Sequence, residues 1–279
     1  MDKTKVYVIK RKSKETNQEV VVRTLNIVPL KKYLSNSEST ILIKPNYVTS
    51  DHSNTGNVTS TDTLEGIILY LIEEAKISPD KLIVADGGSY STDKTMKINN
   101  VFKLEQYGIK VSNLNNDSLV NNVKIPNYFA LDSVNIAKTA MDATCIISVP
   151  SLKTHNMAKT TLSLKNMMGT ISPKGIMHSN LHQKIADLVS VLRPKMKFQL
   201  IDGIIGSNGS ELSGKPIIMD LIIAGEDPVA VDRIGSEIIG YSIDKVKYLK
   251  YCEKKGLGTT DLDKIEIIGN SIEEVYYKF

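Results

Sequence analysis

Hydrophobic residues along the chain fall into two alternating patterns. Short, β-branched apolar runs occupy Lys5–Ile9, Thr40–Ile43, Leu82–Ala85, Lys110–Val111, Cys145–Val149, Lys197–Ile201, Leu221–Ala224 and Lys264–Ile268. Several are apolar at nearly every position, as strands covered on both faces are. Between them lie longer segments with helical periodicity. Asp62–Lys76 carries Leu64, Ile67, Ile68, Leu71 and Ile72 on one face, behind Ser60 or Thr61 as a cap. Asn180–Leu192 repeats the pattern and stops before Pro194; Val229–Ile239 follows, and Ile243–Lys255 ends at Gly256. Strands alternating with helices predict an α/β fold, a mainly parallel or mixed sheet flanked by helices, with ligand groups at strand C-termini. No linker divides residues 1–279, which read as a single α/β domain. The Asn-, Asp- and Ser-rich stretch Asn113–Asn135 reads as a surface excursion, the centre of any small lobe over 90–140.

The patterning leaves polar groups at the ends of the apolar runs. Ile41-Leu-Ile-Lys-Pro-Asn-Tyr47 puts Lys44 and Asn46 just past a strand, with Pro45 biasing Lys44 towards extended geometry. Val149-Pro-Ser-Leu-Lys-Thr-His155 delivers Lys153 and His155 in the same way. Thr160–Met168 then reads as a helix start carrying Lys165 and Asn166. Helix-start amides with two lysines make an anion cradle, and clustered cations depress the pKa of a lysine. Solvated loop lysines are the bland alternative. The histidines are His52, His155, His178 and His182. Spacing of i,i+4 puts His178 and His182 on one helix face, and with His155 they offer three nitrogens to a divalent transition metal. The competing reading points His178 into the site and leaves His182 as a surface or capping residue.

Two strands end in an acid and glycine: Asp86-Gly87-Gly88 and Asp202-Gly203. Such carboxylates position a lysine, bind a cation or accept a proton, or simply form turns. Gly206–Gly214 is an amide-rich loop suited to closing over a substrate, with neither Walker nor dinucleotide spacing. In Ala224–Asp232, Asp227 reads as an N-cap before Pro228, and Asp232, one turn further, is a weaker site candidate.

Composition narrows the classes. Apolar residues are 41% and charged residues 24%, a globular balance, and a net charge of +4 gives no footprint for nucleic acid. Two cysteines, Cys145 and Cys252, supply no iron–sulfur cluster and point to a reducing cytoplasm. The N-terminus has no signal-peptide pattern and no apolar stretch approaches membrane-spanning length, so no membrane partner is expected.

Together these segments resemble the family of the domain of unknown function 362. The residues that carry the resemblance are Ile43–Asn46, Val149–His155, Thr161–Gly169, His178, Ile201–Gly203, Ala224–Asp232 and Gly256–Gly258, in family order. The resemblance implies that Lys44, Asn46, Lys153, His155, Lys165, Asn166, His178, Asp202 and Asp232 share one site. It also implies relatives that carry a [4Fe-4S] ferredoxin module, which this chain lacks. After Asp202 the loop departs from the family, with Ser-Glu-Leu-Ser-Gly214 where relatives tend to carry Gly-Pro.

The leading expectation is an enzyme of oxidoreductase or isomerase type acting on a small carboxylated or phosphorylated metabolite. Lys153, His155, Lys165, His178 and Asp202 would be catalytic; Lys44, Asn46, Asn166 and Asp232 would bind substrate. Two other readings stand beside it: a metal enzyme built on His155, His178 and His182, and a non-catalytic binding or accessory subunit working with a redox partner protein.

Overall fold

The computed structural model describes residues 3–34 and 40–279. In chain order the strands are β1 (Thr4–Lys10), β2 (Ile41–Lys44), β3 (Leu82–Asp86), β4 (Lys110–Asn113), β5 (Leu119–Lys124), β6 (Ser133–Ala137), β7 (Cys145–Ser148), β8 (Ser151–His155), β9 (Lys159–Thr161), β10 (Met196–Asn208), β11 (Lys215–Gly225) and β12 (Ile265–Gly269). The helices are α1 (Asn17–Ile27), α2 (Thr61–Leu69), α3 (Thr92–Ile98), α4 (Lys138–Asp142), α5 (Ser163–Asn166), α6 (Leu181–Leu192), α7 (Pro228–Ile238), α8 (Lys247–Lys254) and α9 (Ile272–Val275). A ten-stranded mixed sheet runs β12-β1-β11-β10-β7-β2-β3-β4, with β8 and β9 branching from β10; β5 and β6 pair separately. From β10 through β7, β2, β3 and β4 every neighbour is parallel, while β11 is antiparallel to both β1 and β10.

Alternation along the strands explains why both sheet faces are covered. Ile41 and Ile43 point into a cluster with Val20, Leu25, Leu64 and Ile67 from α1 and α2. Leu42 and Ile146 point the opposite way, to Ile185, Val189, Leu249 and Cys252 from α6 and α8. A third cluster seats Ile234 and Ile238 of α7 against Val6, Ile201 and Ile223. Successive side chains on a strand face opposite ways, so near-continuous apolar runs are what this arrangement demands. Among the described residues no helix is long and apolar enough to cross a membrane.

Three elements differ from expectation. Helix α1 is not among the helices the periodicity predicts: Thr16 and Glu19 close a reciprocal capping box, which starts a helix through the β-branched run Val20–Val22. Residues 113–135 hold the β5–β6 hairpin's first strand and are anchored, because the buried Asp187 on α6 accepts backbone N–H bonds from Phe129, Ala130 and Leu131 at 2.8–3.0 Å. Lys153 and His155 lie within β8, the first strand of a hairpin with β9, rather than beyond a strand end.

Candidate functional site

At the C-terminal ends of β2 and β3 a buried ion pair organises the surroundings. Lys44 Nζ donates to Asp86 Oδ1 at 2.5 Å, to Asn166 Oδ1 at 3.1 Å and to the Pro45 carbonyl at 3.1 Å. Asp86 Oδ2 accepts the Tyr47 and Gly88 amides at 2.7 and 3.1 Å. Burial pulls the Lys44 ammonium down and Asp86 opposes it. Glycine is needed where the chain crosses the pair: a Cβ on Gly169 would sit 2.3 Å from Asp86 Oδ1 and 2.6 Å from Lys44 Nζ.

Asn166 ties this pair to the helix α5. Its Nδ2 donates to the Lys44 carbonyl at 3.0 Å and to Ser148 Oγ at 3.1 Å, which leaves Oδ1 to accept from Lys44 and from Asn46 Nδ2 at 3.2 Å. Asn46 Oδ1 therefore faces away, buried and without a partner among the described residues. The start of α5 is held by Asp232, whose two oxygens accept the Ser163 and Leu164 amides at 2.7 and 2.9 Å. These bonds aim α5, and with it Lys165, over the pair.

Above this floor lies a cavity of about 360 Å³. Asn46, His155, Lys165, Asn166 and His178 line it, together with Glu211. Lys165 is the unsatisfied cation: it carries no hydrogen bond or ion pair among the described residues, and burial pushes it down to about 8 against the pull of Glu211. Lys174, also on the wall, is already committed to Asn115 Oδ1 at 2.7 Å and the Ile171 carbonyl at 3.1 Å. His155 Nδ1 accepts the Met157 and Ala158 amides, both at 3.1 Å, so the neutral ring carries its proton on Nε2, 3.8 Å from Glu211 Oε1. Burial, then Lys165, hold this imidazole well below the ordinary range. Glu211 receives the Asn156 amide at 3.1 Å; burial would raise its pKa, but that bond and the nearby cations leave it lowered. Thr161 Oγ1 on the wall is buried and has no partner among the described residues.

The predicted residues thus separate. Asn46, His155, Lys165, Asn166 and His178 converge, with Lys44 directly beneath. Lys153 stays behind the wall: its buried ammonium donates to the Asn57 carbonyl at 2.7 Å, and burial followed by Lys165 brings it down to about 7. Asp202 is elsewhere, with Oδ2 accepting the Ser60 amide at 2.9 Å ahead of α2 in a separate small cleft. Asp232 is the cap of α5 and does not reach the cavity wall. His182 does not line the cavity; its ring stacks on Tyr248 with centroids 6.4 Å apart. His52 accepts the Asn54 amide at 3.2 Å in a turn. The three-histidine metal set is not assembled: among the described residues no group of three or more His, Cys, Asp or Glu converges as a metal site. With His155 Nδ1 engaged and His182 stacked away, the donor set does not fit a metal.

Glu211 and Lys174 were not singled out by sequence. Glu211 sits inside the loop recognised as a cover, whereas Lys174 follows a Ser-Pro pair in a turn and nothing local marks it.

Asp232 and Asp202 make a pH prediction. Burial raises Asp232 to about 7 and Asp202 to about 6. The folded chain then holds protons that the unfolded chain releases near pH 4, so their stabilisation is complete below about pH 4 and is lost as pH rises through the folded values. Urea melts between about pH 5 and about pH 7 are expected to show stability declining by on the order of 1–2 kcal/mol, with a flatter profile for Asp232→Asn. The depressed His155 works the other way across this window, so the comparison carries the test: equal slopes for wild type and Asp232→Asn would contradict the assignment.

Comparison with known proteins agrees with this architecture. A thylakoid-associated protein of Synechocystis sp. is 22% identical over 232 residues, covering 79% of this chain and 69% of its own. The lactate racemase apoprotein from Thermoanaerobacterium thermosaccharolyticum shares the fold, with a TM-score of 0.54 and 15% identity over 85% of this chain. The chain spans 57% of that structure's length. A family model described as domain of unknown function (DUF362) matches residues 41–237, which include Lys44, Asp86, His155, Lys165, Asn166, His178 and Glu211. The chain belongs to the DUF362 family.

Proposed function

We propose that the protein is an enzyme of isomerase type that moves a proton on a small hydroxy-carboxylate. The observation that carries this reading is Lys165, an ammonium with no partner among the described residues, facing a cavity of about 360 Å³. A carboxylate placed there gains a charge-assisted bond to a buried ammonium. Asn46 Oδ1 is a buried acceptor without a donor among the described residues; a ligand hydroxyl beside the carboxylate supplies one, and an unfilled acceptor disfavours ligands lacking it.

The proton carrier is His178, which lines the mouth of the cavity and is exposed to solvent. His155 has a different role from general base. With Nδ1 held by two amides, its Nε2–H can only donate, and it stabilises negative charge developing on the ligand oxygen. Asp202, beside Ser60, takes no part in this step. The likeness to lactate racemase supports a metabolite-sized hydroxy acid as the substrate class and no more than that.

Incubating the full chain with either enantiomer of lactate and related 2-hydroxy acids in D₂O is expected to produce the opposite enantiomer with deuterium at the hydroxyl-bearing carbon, read by NMR and chiral chromatography. Inversion without deuterium would replace proton transfer by hydride transfer. Neither inversion nor any thermal shift with these acids would remove the substrate class.

A further inference from the structure

The end of the sheet opposite this cavity holds a larger cleft, about 540 Å³, with a different chemistry. Lys44 and Asp86 close β2 and β3, whereas this cleft lies where β1 and β10 begin and antiparallel β11 ends. Its walls carry Lys3, Lys5, Lys32, Arg193 and Lys197. Two carboxylates are present, and both are occupied. Glu226 binds Lys32 at 2.8 Å and the Tyr33 hydroxyl. Asp227 caps α7 through the Val229 and Ala230 amides and accepts the Thr259 amide at 3.0 Å.

The remaining cations have no such partner. Among the described residues, no carboxylate pairs with Lys3, Lys5, Lys197 or Arg193 within 4.0 Å. Arg193 is moreover pre-set: Nε donates to the Leu257 carbonyl at 2.7 Å and Nη1 to the Met196 carbonyl at 3.1 Å. Its other terminal nitrogen stays available, so the guanidinium need not be ordered by the ligand. Its lining holds five cations against two carboxylates, and a concave surface with such an excess of one sign of charge focuses potential and recruits counter-charge. Monocarboxylates of the size that suits the first cavity would neutralise only a fraction of it.

We propose that this cleft is a second binding site, for a small ligand bearing a diphosphate or a comparably charged pair of phosphates. Lys5, Lys197 and Arg193 are its main contacts. The site is independent of Lys165, so it stands whether or not the hydroxy-acid reading does.

The test is calorimetric titration of the full chain with inorganic pyrophosphate, with inorganic phosphate in parallel. Pyrophosphate is expected to bind wild type and Lys165→Met alike, and the pair Lys5→Ala/Lys197→Ala is expected to weaken it at least about tenfold. Lys5 is exposed and Lys197 half-buried, neither side chain makes a hydrogen bond or ion pair among the described residues, and an unchanged melting temperature confirms that the double variant folds. The proposal is overturned if pyrophosphate fails to bind wild type, if phosphate binds as tightly, or if Lys165→Met alone abolishes binding.

Discussion

Asp86→Asn is expected to destabilise the folded chain by about 3–5 kcal/mol near neutral pH, because it strands a fully buried ammonium. That is a large part of the roughly 5–15 kcal/mol that holds a typical domain. Lys44 would keep only the Asn166 and Pro45 oxygens, and the Tyr47 and Gly88 amides would share one acceptor in place of a carboxylate oxygen. Burial already depresses Lys44. In Asp86→Asn the lysine therefore sheds its proton at a pH where the unfolded chain still holds it, and stability rises with pH across that window. The deficit is expected to be largest at about pH 6 and smaller at about pH 9, measured by urea melts. Adding Lys44→Met removes the stranded charge, so the double variant should recover about 0.5–3 kcal/mol relative to the sum of the single changes. Strict additivity would show that the pair contributes nothing as a pair.

Much of this frame was legible in the chain. Near-continuous apolar runs identify strands covered on both faces, and the acid–glycine endings predict that Asp86 can position a lysine, as it does with Lys44. Asp227 before Pro228 predicts its own cap, and it accepts the Val229 and Ala230 amides. The site was legible at the level of segments but not of side-chain direction. Lys153 and Lys165 look equivalent in sequence, both near the end of the same motif pair. Yet Lys153 lies inside β8 and turns back to Asn57, and Lys165 opens onto the cavity. That difference is set by the β8–β9 hairpin register, which pairs Lys153 with Thr161. Asp202 and Asp232 show the same limit. Both carboxylates are buried inside their elements, Asp202 in β10 and Asp232 in α7; Asp202 accepts the Ser60 amide 142 residues away as well as the local Ile204 amide, and Asp232 accepts the Ser163 and Leu164 amides 69 and 68 residues away. Long-range partners of that kind leave no local spacing to read. His182 is the clearest case, since the i,i+4 spacing with His178 begins before α6 does: His178 precedes the helix and His182 is its second residue.

Lys165→Met is expected to weaken binding of a small hydroxy-carboxylate by about one to two orders of magnitude and to abolish its turnover, because the variant loses a charge-assisted contact inside the cavity. The change should not unfold the protein. Lys165 holds nothing in place among the described residues, and its burial is already unfavourable to its charge, so the melting temperature should stay level or rise. The pH dependence gives the sign. Anion binding needs the ammonium, which in the free protein is lost at about 8, so wild-type affinity should fall as pH climbs past that value and Lys165→Met should be flat there. Lys165→Arg, charged throughout, should restore part of the affinity and remove the alkaline fall. Glu211→Gln supplies the opposite perturbation. Glu211 is the acid on the cavity wall, 3.8 Å from His155 Nε2, and it competes with an incoming carboxylate for the same cations. Its neutral replacement should tighten binding by about tenfold while leaving the dependence on Lys165 intact. Equal affinity of wild type and Lys165→Met at a pH below about 8, where the ammonium is charged, would mean that the unpaired ammonium is not where the anion sits.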